Sequence, residues 1–224
     1  DNATGAESLR LSVERYEFAA RYVNGDRVLD IACGSGYGTR LLAEKSNSPG
    51  RVVTGVDLSE AAVAYATERY GNQQTRFIAS DGMGFAEPEG FDLVVSIETI
   101  EHVPDARGFI SRLISFVRPG GLLVVSVPVT PSVDGNPHHL HDFSPRSFRA
   151  PFLENGMLEV DALEQVQPFE MFAVLTRSEA RMKDVRPNLP GYYLRNPGAF
   201  ARRCWSTLRH GLVNKYLTVV WRAP

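Results

Sequence analysis

Three acids and a glycine-rich turn form the first group of residues whose types and spacing suit chemistry. The segment Val28-Leu29-Asp30-Ile31-Ala32-Cys33-Gly34-Ser35-Gly36-Tyr37-Gly38 joins an apolar run to a helical stretch. Glycines at such a turn let a ligand approach the backbone closely. A dinucleotide fingerprint would place its third glycine where Thr39 stands, and Gly38 is out of register. Asp30 lies at the mouth of the turn, where a carboxylate would repel a pyrophosphate but suits a ligand carrying an amino group and a sulfonium. Asp57 follows 27 residues later, after the second apolar run, where an acid can accept both hydrogen bonds of a ribose diol. Asp81 follows the third run and can accept from an adenine amino group. Each acid alone would read as a helix N-cap. Together they fit an adenosine with a cationic tail.

Two further clusters bear on a second ligand. In Glu98-Thr99-Ile100-Glu101-His102, a helical turn starting at Glu98 would put Glu98, Glu101 and His102 on one face. Two carboxylates and an imidazole suit a divalent ion, the oxygens favouring Mg²⁺ or Mn²⁺ and the nitrogen allowing Zn²⁺ or Fe²⁺. The plainer alternative is caps, salt bridges and a packed histidine. In Asn136-Pro137-His138-His139-Leu140-His141-Asp142-Phe143, three of the five histidines fall within four residues. Neutral imidazole is both a metal ligand and a base with a pKa near about 6.5. His139, His138 and Glu98 are therefore the catalytic candidates, and Glu98, Glu101, His102 and His139 the metal candidates.

The elements that must position these groups alternate in type. Helical spacing over Glu7–Tyr22 precedes apolar runs at Val28–Ala32, Val52–Val56, Thr75–Ala79, Phe91–Ile97 and Leu122–Val127. Helical stretches at Thr39–Glu44, Ser59–Tyr70 and Arg107–Val117 separate them, the last stopped by Pro119-Gly120-Gly121. Apolar strands separated by helices predict a doubly wound, mostly parallel α/β sheet buried on both faces. Ligands in such sheets sit at the carboxyl ends of the strands. The loops after Ala32, Val56, Ala79, Ile97 and Val127 therefore converge. Beyond Pro128, Thr130–His141 reads as a loop and Ser144–Asn155 as a helix with Pro145 in its first turn. Leu158–Gln167 and Tyr216–Arg222 read as two more strands. Between them lie an irregular stretch, 184–197, and a helix from Asn196 to His210.

Val28–Gly36, Val53–Asp57, Phe77–Asp81 and Phe91–Ile97 with Arg118–Gly121 resemble the successive motifs of class I S-adenosylmethionine-dependent methyltransferases, over about residues 26–128. The resemblance implies a seven-stranded Rossmann-like sheet with an antiparallel last strand and an insertion, 168–215, covering the acceptor side or an interface. It also implies that Gly34 and Gly36 hold the methionine part, Asp57 the ribose and Asp81 the adenine. Asp30, Ala32, Ser35, Leu58, Gly82 and Ile97 complete the expected cofactor site. Glu-x-x-Glu-His followed by a distant histidine is similar to the metal site of small-RNA terminal-ribose methyltransferases. Its first part resembles ubiquinone-pathway O-methyltransferases. Arg15-Tyr16 through the glycine turn, with the Asn-Pro-x-His-x-x-acid-aromatic loop, resembles methyltransferases encoded with bacterial cell-surface polysaccharide genes. His138 replaces a usual aromatic there and His141 a usual basic residue. These likenesses imply O-methylation of a sugar hydroxyl in a polysaccharide, glycolipid or nucleotide sugar. The alternatives are a small-molecule or quinone-like acceptor deprotonated by a histidine without metal, and a terminal-ribose RNA. A non-catalytic domain binding the cofactor as a regulator is a third class, against which the Glu/His clusters speak.

Composition bounds the rest. With 224 residues, 43% apolar and 22% charged, the chain reads as one globular domain. It has no apolar run long enough for a spanning helix. Cys33 and Cys204 are too few for a cysteine zinc site, and a reducing, cytoplasmic setting is the expectation. The chain begins at Asp1, which points to a trimmed start and leaves a removed leader open. Residues 1–170 hold 14 Lys/Arg against 24 Asp/Glu, whereas 171–224 hold 10 against 2. That basic quarter, with Arg195, Arg202, Arg203 and Arg209, could meet an anionic acceptor, a membrane surface or the partner in a homodimer. The acidic body lacks the basic, aromatic stripe that a nucleic acid needs.

Overall fold

The computed structural model describes residues 3–45, 50–168, 186 and 188–224. Helix α1 (Ala3–Ala20) precedes β1 (Arg27–Ile31), α2 (Tyr37–Glu44), β2 (Val52–Asp57), α3 (Glu60–Tyr70), β3 (Thr75–Ala79) and β4 (Phe91–Ile97). Then come α4 (Ala106–Ser115), β5 (Val117–Pro128), α5 (Pro145–Glu154), β6 (Leu158–Pro168), α6 (Leu189–Arg195), α7 (Pro197–His210) and β7 (Val213–Arg222). The seven strands form one sheet in the order β3-β2-β1-β4-β5-β7-β6. The first five strands pair in parallel, and β7 runs antiparallel to both β5 and β6.

Alternation along each strand builds two cores, one on each face. Leu29, Ile31 and Val94 join Phe109, Leu113, Phe148 and Trp221 beneath α4 and α5. Their neighbours Val28, Leu93 and Val95 join Tyr16, Phe18 and Leu42 beneath α1 and α2. Apolar side chains on both faces explain the nearly continuous apolar runs. Serine caps start two helices: Ser59 accepts from Ala62 N at 3.2 Å, and Ser144 forms a reciprocal capping box with Ser147.

Three local expectations change. Helix α4 ends at Ser115, so Pro119-Gly120-Gly121 does not stop it. Val117 already pairs with Phe91, the register then skips to Leu93↔Leu122, and Arg118–Gly121 form the bulge between, with Gly120 at φ 73°. Helix α2 starts at Tyr37, two residues before the predicted start at Thr39. Within the stretch expected to be irregular, Leu189–Arg195 is helical because Pro190 sits in the first turn and Asn188 accepts from Gly191 N at 3.1 Å. Residues 169–185 and 187, which belong to the expected insertion, lie outside the described residues.

Candidate active site

The strand ends bring the first group of residues together on one edge of the sheet. Gly34, at φ 53°, has open space where a side chain would stand. Its N–H donates to Asp57 Oδ2 at 2.8 Å, and Ser59 N–H donates to Asp57 Oδ1 at 2.9 Å. Asp57 thus ties the glycine turn to the start of α3 while remaining partly exposed. Asp81 accepts from Met83 N at 2.9 Å and is exposed, as are Ser35 and Leu58. Gly82 is half-buried above the Phe109 ring, and Ile97 closes the end of β4. Ala32 holds φ 61°, an uncommon value for a residue with a side chain, and such strain gathers at functional sites.

Two of these residues are placed otherwise than expected. Asp30 does not stand at the mouth of the turn. It lies inside β1, fully buried, with Tyr16 Oη donating to Oδ1 at 3.1 Å and Thr39 Oγ1 to Oδ2 at 2.7 Å. Burial is the main cause that raises its pKa to about 7. Asp30 therefore braces the turn from below. Gly36 serves packing: a Cβ there would come within 2.6 Å of Ala66 Cβ and 2.8 Å of the Phe77 ring.

The second group converges only in part. Glu101 is fully buried, and neither carboxylate oxygen has a hydrogen-bond partner among the described residues. Burial, then the charge of Glu98, pushes its carboxyl well above the usual range. Ligand atoms of Glu101, His102 and His139 all lie within 4.8 Å of one another. The two imidazoles meet edge-on with centroids 4.6 Å apart. His102 Nδ1 donates to the His138 carbonyl at 3.1 Å, so Nε2 is the ring nitrogen not engaged by that contact. His139 Nδ1 is buried without a partner, and burial, then His102 and His138, pushes this histidine down to about 4. It is neutral at physiological pH.

Glu98 does not share the predicted helical face. It adopts φ 51°, and the short 3₁₀ turn begins only at Ile100. Its Oε1 accepts from Ser126 Oγ at 2.8 Å, and its N–H donates back to the same hydroxyl oxygen at 3.0 Å. The left-handed backbone breaks the helical path, and Ser126 on β5 takes the carboxylate. Among the three loop histidines, His139 joins Glu101. The His138 ring is exposed, and His141 Nε2 donates to Val103 O at 2.8 Å. Asp142 accepts from Ser132 N at 2.8 Å and Val133 N at 3.1 Å, and so shapes the loop that carries His139.

A family model described as a methyltransferase domain matches residues 29–125, which include the glycine turn, all three acids and Glu98 to His102. Over these residues the chain is similar to methyltransferase domains. The ubiquinone biosynthesis O-methyltransferase of Pseudomonas fluorescens is 37% identical over 106 residues, covering 46% of this chain and 44% of that protein. The 2-methyl-6-phytyl-1,4-hydroquinone methyltransferase of Synechocystis is 40% identical over 104 residues, covering 46% and 32%. The chain thus spans less than half the length of these curated relatives. The N-methyltransferase NodS of Bradyrhizobium japonicum, solved with S-adenosyl-L-homocysteine, superposes with a TM-score of 0.60 at 18% identity, over 94% of this chain and 86% of that one. The [4+2]-cyclase SpnF superposes with a TM-score of 0.66 at 19% identity, over 93% and 80%. At such identities the likeness shows the fold, which also hosts other chemistry.

Outside residues 29–125, a buried clamp joins α7 to the histidine loop. Arg203 donates to Asp134 through Nε at 2.8 Å and through a terminal nitrogen at 2.6 Å, and also to Pro131 O. Tyr193 Oη donates to the same carboxylate at 2.6 Å. Burial works against the charge of Asp134, but Arg203 outweighs it and holds the carboxyl below its usual range. Arg203 is therefore committed to Asp134 and does not face a phosphate, contrary to its sequence reading. Arg195, Arg202 and Arg209 are exposed. Sequence reasoning passed over Ser126, Asp134 and Tyr216, which stand in no motif and reach the candidate site only through the fold.

Proposed function

We propose that this chain transfers the methyl group of S-adenosylmethionine to a hydroxyl of an acceptor that bears two adjacent hydroxyls, with a saccharide as first candidate. The observation that carries this reading is the convergence of Glu101, His102 and His139 beside the strand ends, with a buried carboxylate that has no partner among the described residues. Bound cofactor would supply the methyl group on its sulfonium. Asp57 would accept from the ribose diol and Asp81 from the adenine amino group. Gly34, Ser35, Ala32, Leu58, Gly82 and Ile97 would line the rest.

The donor set fits a divalent cation. Glu101 offers unpartnered oxygens, His102 an available Nε2 and His139 a buried nitrogen without a partner. These three would hold Mg²⁺ or Mn²⁺, and the ion would lower the pKa of an acceptor hydroxyl. Glu98 would stand behind them, bonded to Ser126. Without an ion, neutral His139 would take the hydroxyl proton itself, as a general base does. His138, exposed at the rim, is the weaker base candidate. A second reading, a quinol-like or catechol acceptor, is favoured by the names of the two relatives.

Turnover should stop in EDTA and return with Mg²⁺ or Mn²⁺, measured on vicinal-diol sugars and catechols with mono-hydroxylated analogues alongside. Full activity in EDTA would sink the metal assignment, and a preference for catechols would replace the saccharide.

The segment between β6 and β7 would cover the acceptor side, since α7 clamps the loop that carries His139. Trp205 (68% exposed), Leu208 (84%) and Leu194 project outward, flanked by the exposed Arg195, Arg202 and Arg209. Apolar side chains flanked by arginines suit an anionic membrane surface better than a second copy carrying the same charges. Among the described residues no helix is long and apolar enough to cross a membrane. Trp205→Ser with Leu208→Ser should abolish co-sedimentation with phosphatidylglycerol vesicles. Unchanged sedimentation, or a concentration-dependent dimer lost in the variant, would count against lipid contact.

A further inference from the structure

The histidine loop is gripped at two places. Beside His139, the Leu140 N–H donates to Glu101 O at 2.7 Å, which joins the loop to the turn after β4. Five residues before His139, Asp134 is 2% exposed and meets Arg203, which is 3% exposed, through the two-nitrogen fork already described. Arg203 projects from the inward face of α7 together with Ala199 and Ser206. Tyr193 on α6 adds its bond to the same carboxylate. Arg186 completes this second grip: its N–H donates to Gly135 O at 2.7 Å and its guanidinium to Val133 O at 2.8 and 3.1 Å.

Between the two grips the backbone is tied to itself. Asn136 N–H donates to Ser132 O at 2.9 Å, Asn136 Oδ1 accepts from His138 N at 2.9 Å, and His139 N–H donates to Asn136 O at 3.3 Å. A shift at Asp134 is therefore passed to His139 through a continuous chain of hydrogen bonds. Apolar burial does little to hold this stretch, since Leu140 is 50% exposed and His138 is exposed as well. A buried ion pair adds little stability over an apolar pair of the same size, but its fork fixes distance and direction. That geometric control is what a loop without packed side chains lacks.

We infer that Asp134, held by Arg203 and Tyr193, is a positioning residue that sets His139 against Glu101 and His102. The cluster is then assembled by the C-terminal helices α6 and α7, outside the stretch that carries the glycine turn and its acids. The inference rests on the reading of Glu101, His102 and His139 as the reacting end of the site.

Hydrogen exchange of the Leu140 amide reads the placement of the loop, and calorimetry with Mn²⁺ alone reads the assembled cluster. Arg203→Lys keeps the charge and loses the fork. The Leu140 amide should then exchange about 10-fold faster, the worth of one charge-assisted hydrogen bond, while amides of β1 and β4 keep their wild-type rates. Mn²⁺ affinity should fall by a similar factor and S-adenosylhomocysteine affinity should not change. Tyr193→Phe should move both readouts the same way by a smaller factor. In a His139→Ala background, Arg203→Lys should cost no further Mn²⁺ affinity, because the clamp acts through that imidazole. Losses that multiply there, or unchanged Leu140 exchange in both variants, would overturn the inference and leave Arg203 and Asp134 a general structural pair. Wild type that binds no Mn²⁺ would overturn the cation reading instead, and the exchange rates alone then decide the inference. Faster exchange throughout the sheet of Arg203→Lys would mark a fold defect, and Tyr193→Phe, which removes a single hydrogen bond, then decides by the same criterion.

Discussion

Replacing Glu101 with Gln is expected to lower turnover by roughly 10²–10⁴-fold, the range associated with losing a group that handles the reacting proton. S-adenosylhomocysteine affinity should stay at the wild-type value, because the acids proposed to face the adenosine, Asp57 and Asp81, lie on other loops. The substitution keeps shape and removes charge. Glu101 is wholly buried, both oxygens lack partners among the described residues, and burial together with Glu98 disfavours its ionised form. A neutral amide should therefore leave the melting temperature equal or higher, since an uncompensated buried charge costs stability. Lower turnover joined to unchanged or improved stability is the signature of a residue kept for function. Wild-type turnover, or a parallel loss of cofactor binding, would remove Glu101 from the chemistry.

Asp57→Ala is expected to weaken S-adenosylhomocysteine binding by about 2–4 kcal/mol, or roughly 30- to 1000-fold. Two effects combine. The ribose diol would lose both acceptors, and the N–H groups of Gly34 and Ser59, now held at 2.8 and 2.9 Å, would lose theirs. Asp57→Asn separates the two, because its single carbonyl oxygen can serve one partner and its amide cannot accept. It should fall between wild type and Ala. Calorimetry giving the same dissociation constant for Ala and wild type would sink the ribose assignment.

Much of the sheet was legible because strand burial is a local pattern. Val28, Val53, Leu93 and Val124 lie on one face, and Leu29, Val94 and Leu123 on the other, so each central strand had to be apolar along its length. The caps at Ser59 and Ser144 were equally local, being contacts between residues three apart. The Arg118–Gly121 bulge was not, because Pro-Gly-Gly describes a reversal equally well after a helix or within a strand. Pairing of Val117 with Phe91 across the sheet decided it.

The sequence by itself determined the kind of domain: its glycine turn, the spacing of Asp57 and Asp81, and the order of apolar runs are properties of neighbouring residues. Only the tertiary structure decided which polar groups are open to a ligand. Asp30 and Asp57 look alike in sequence, but Tyr16 and Thr39, brought in from two helices, close over the first. Glu98 and Glu101 look alike too, until Ser126 takes one and burial strands the other. Three histidines stand in one loop, and contact with the turn after β4 selects His139. Arg203 and Arg15 are both buried arginines, one answered by Asp134 and the other by no acid among the described residues. The physical reason is common to all four cases. A charge is defined by the partners that replace its lost water, and those partners come from distant parts of the chain.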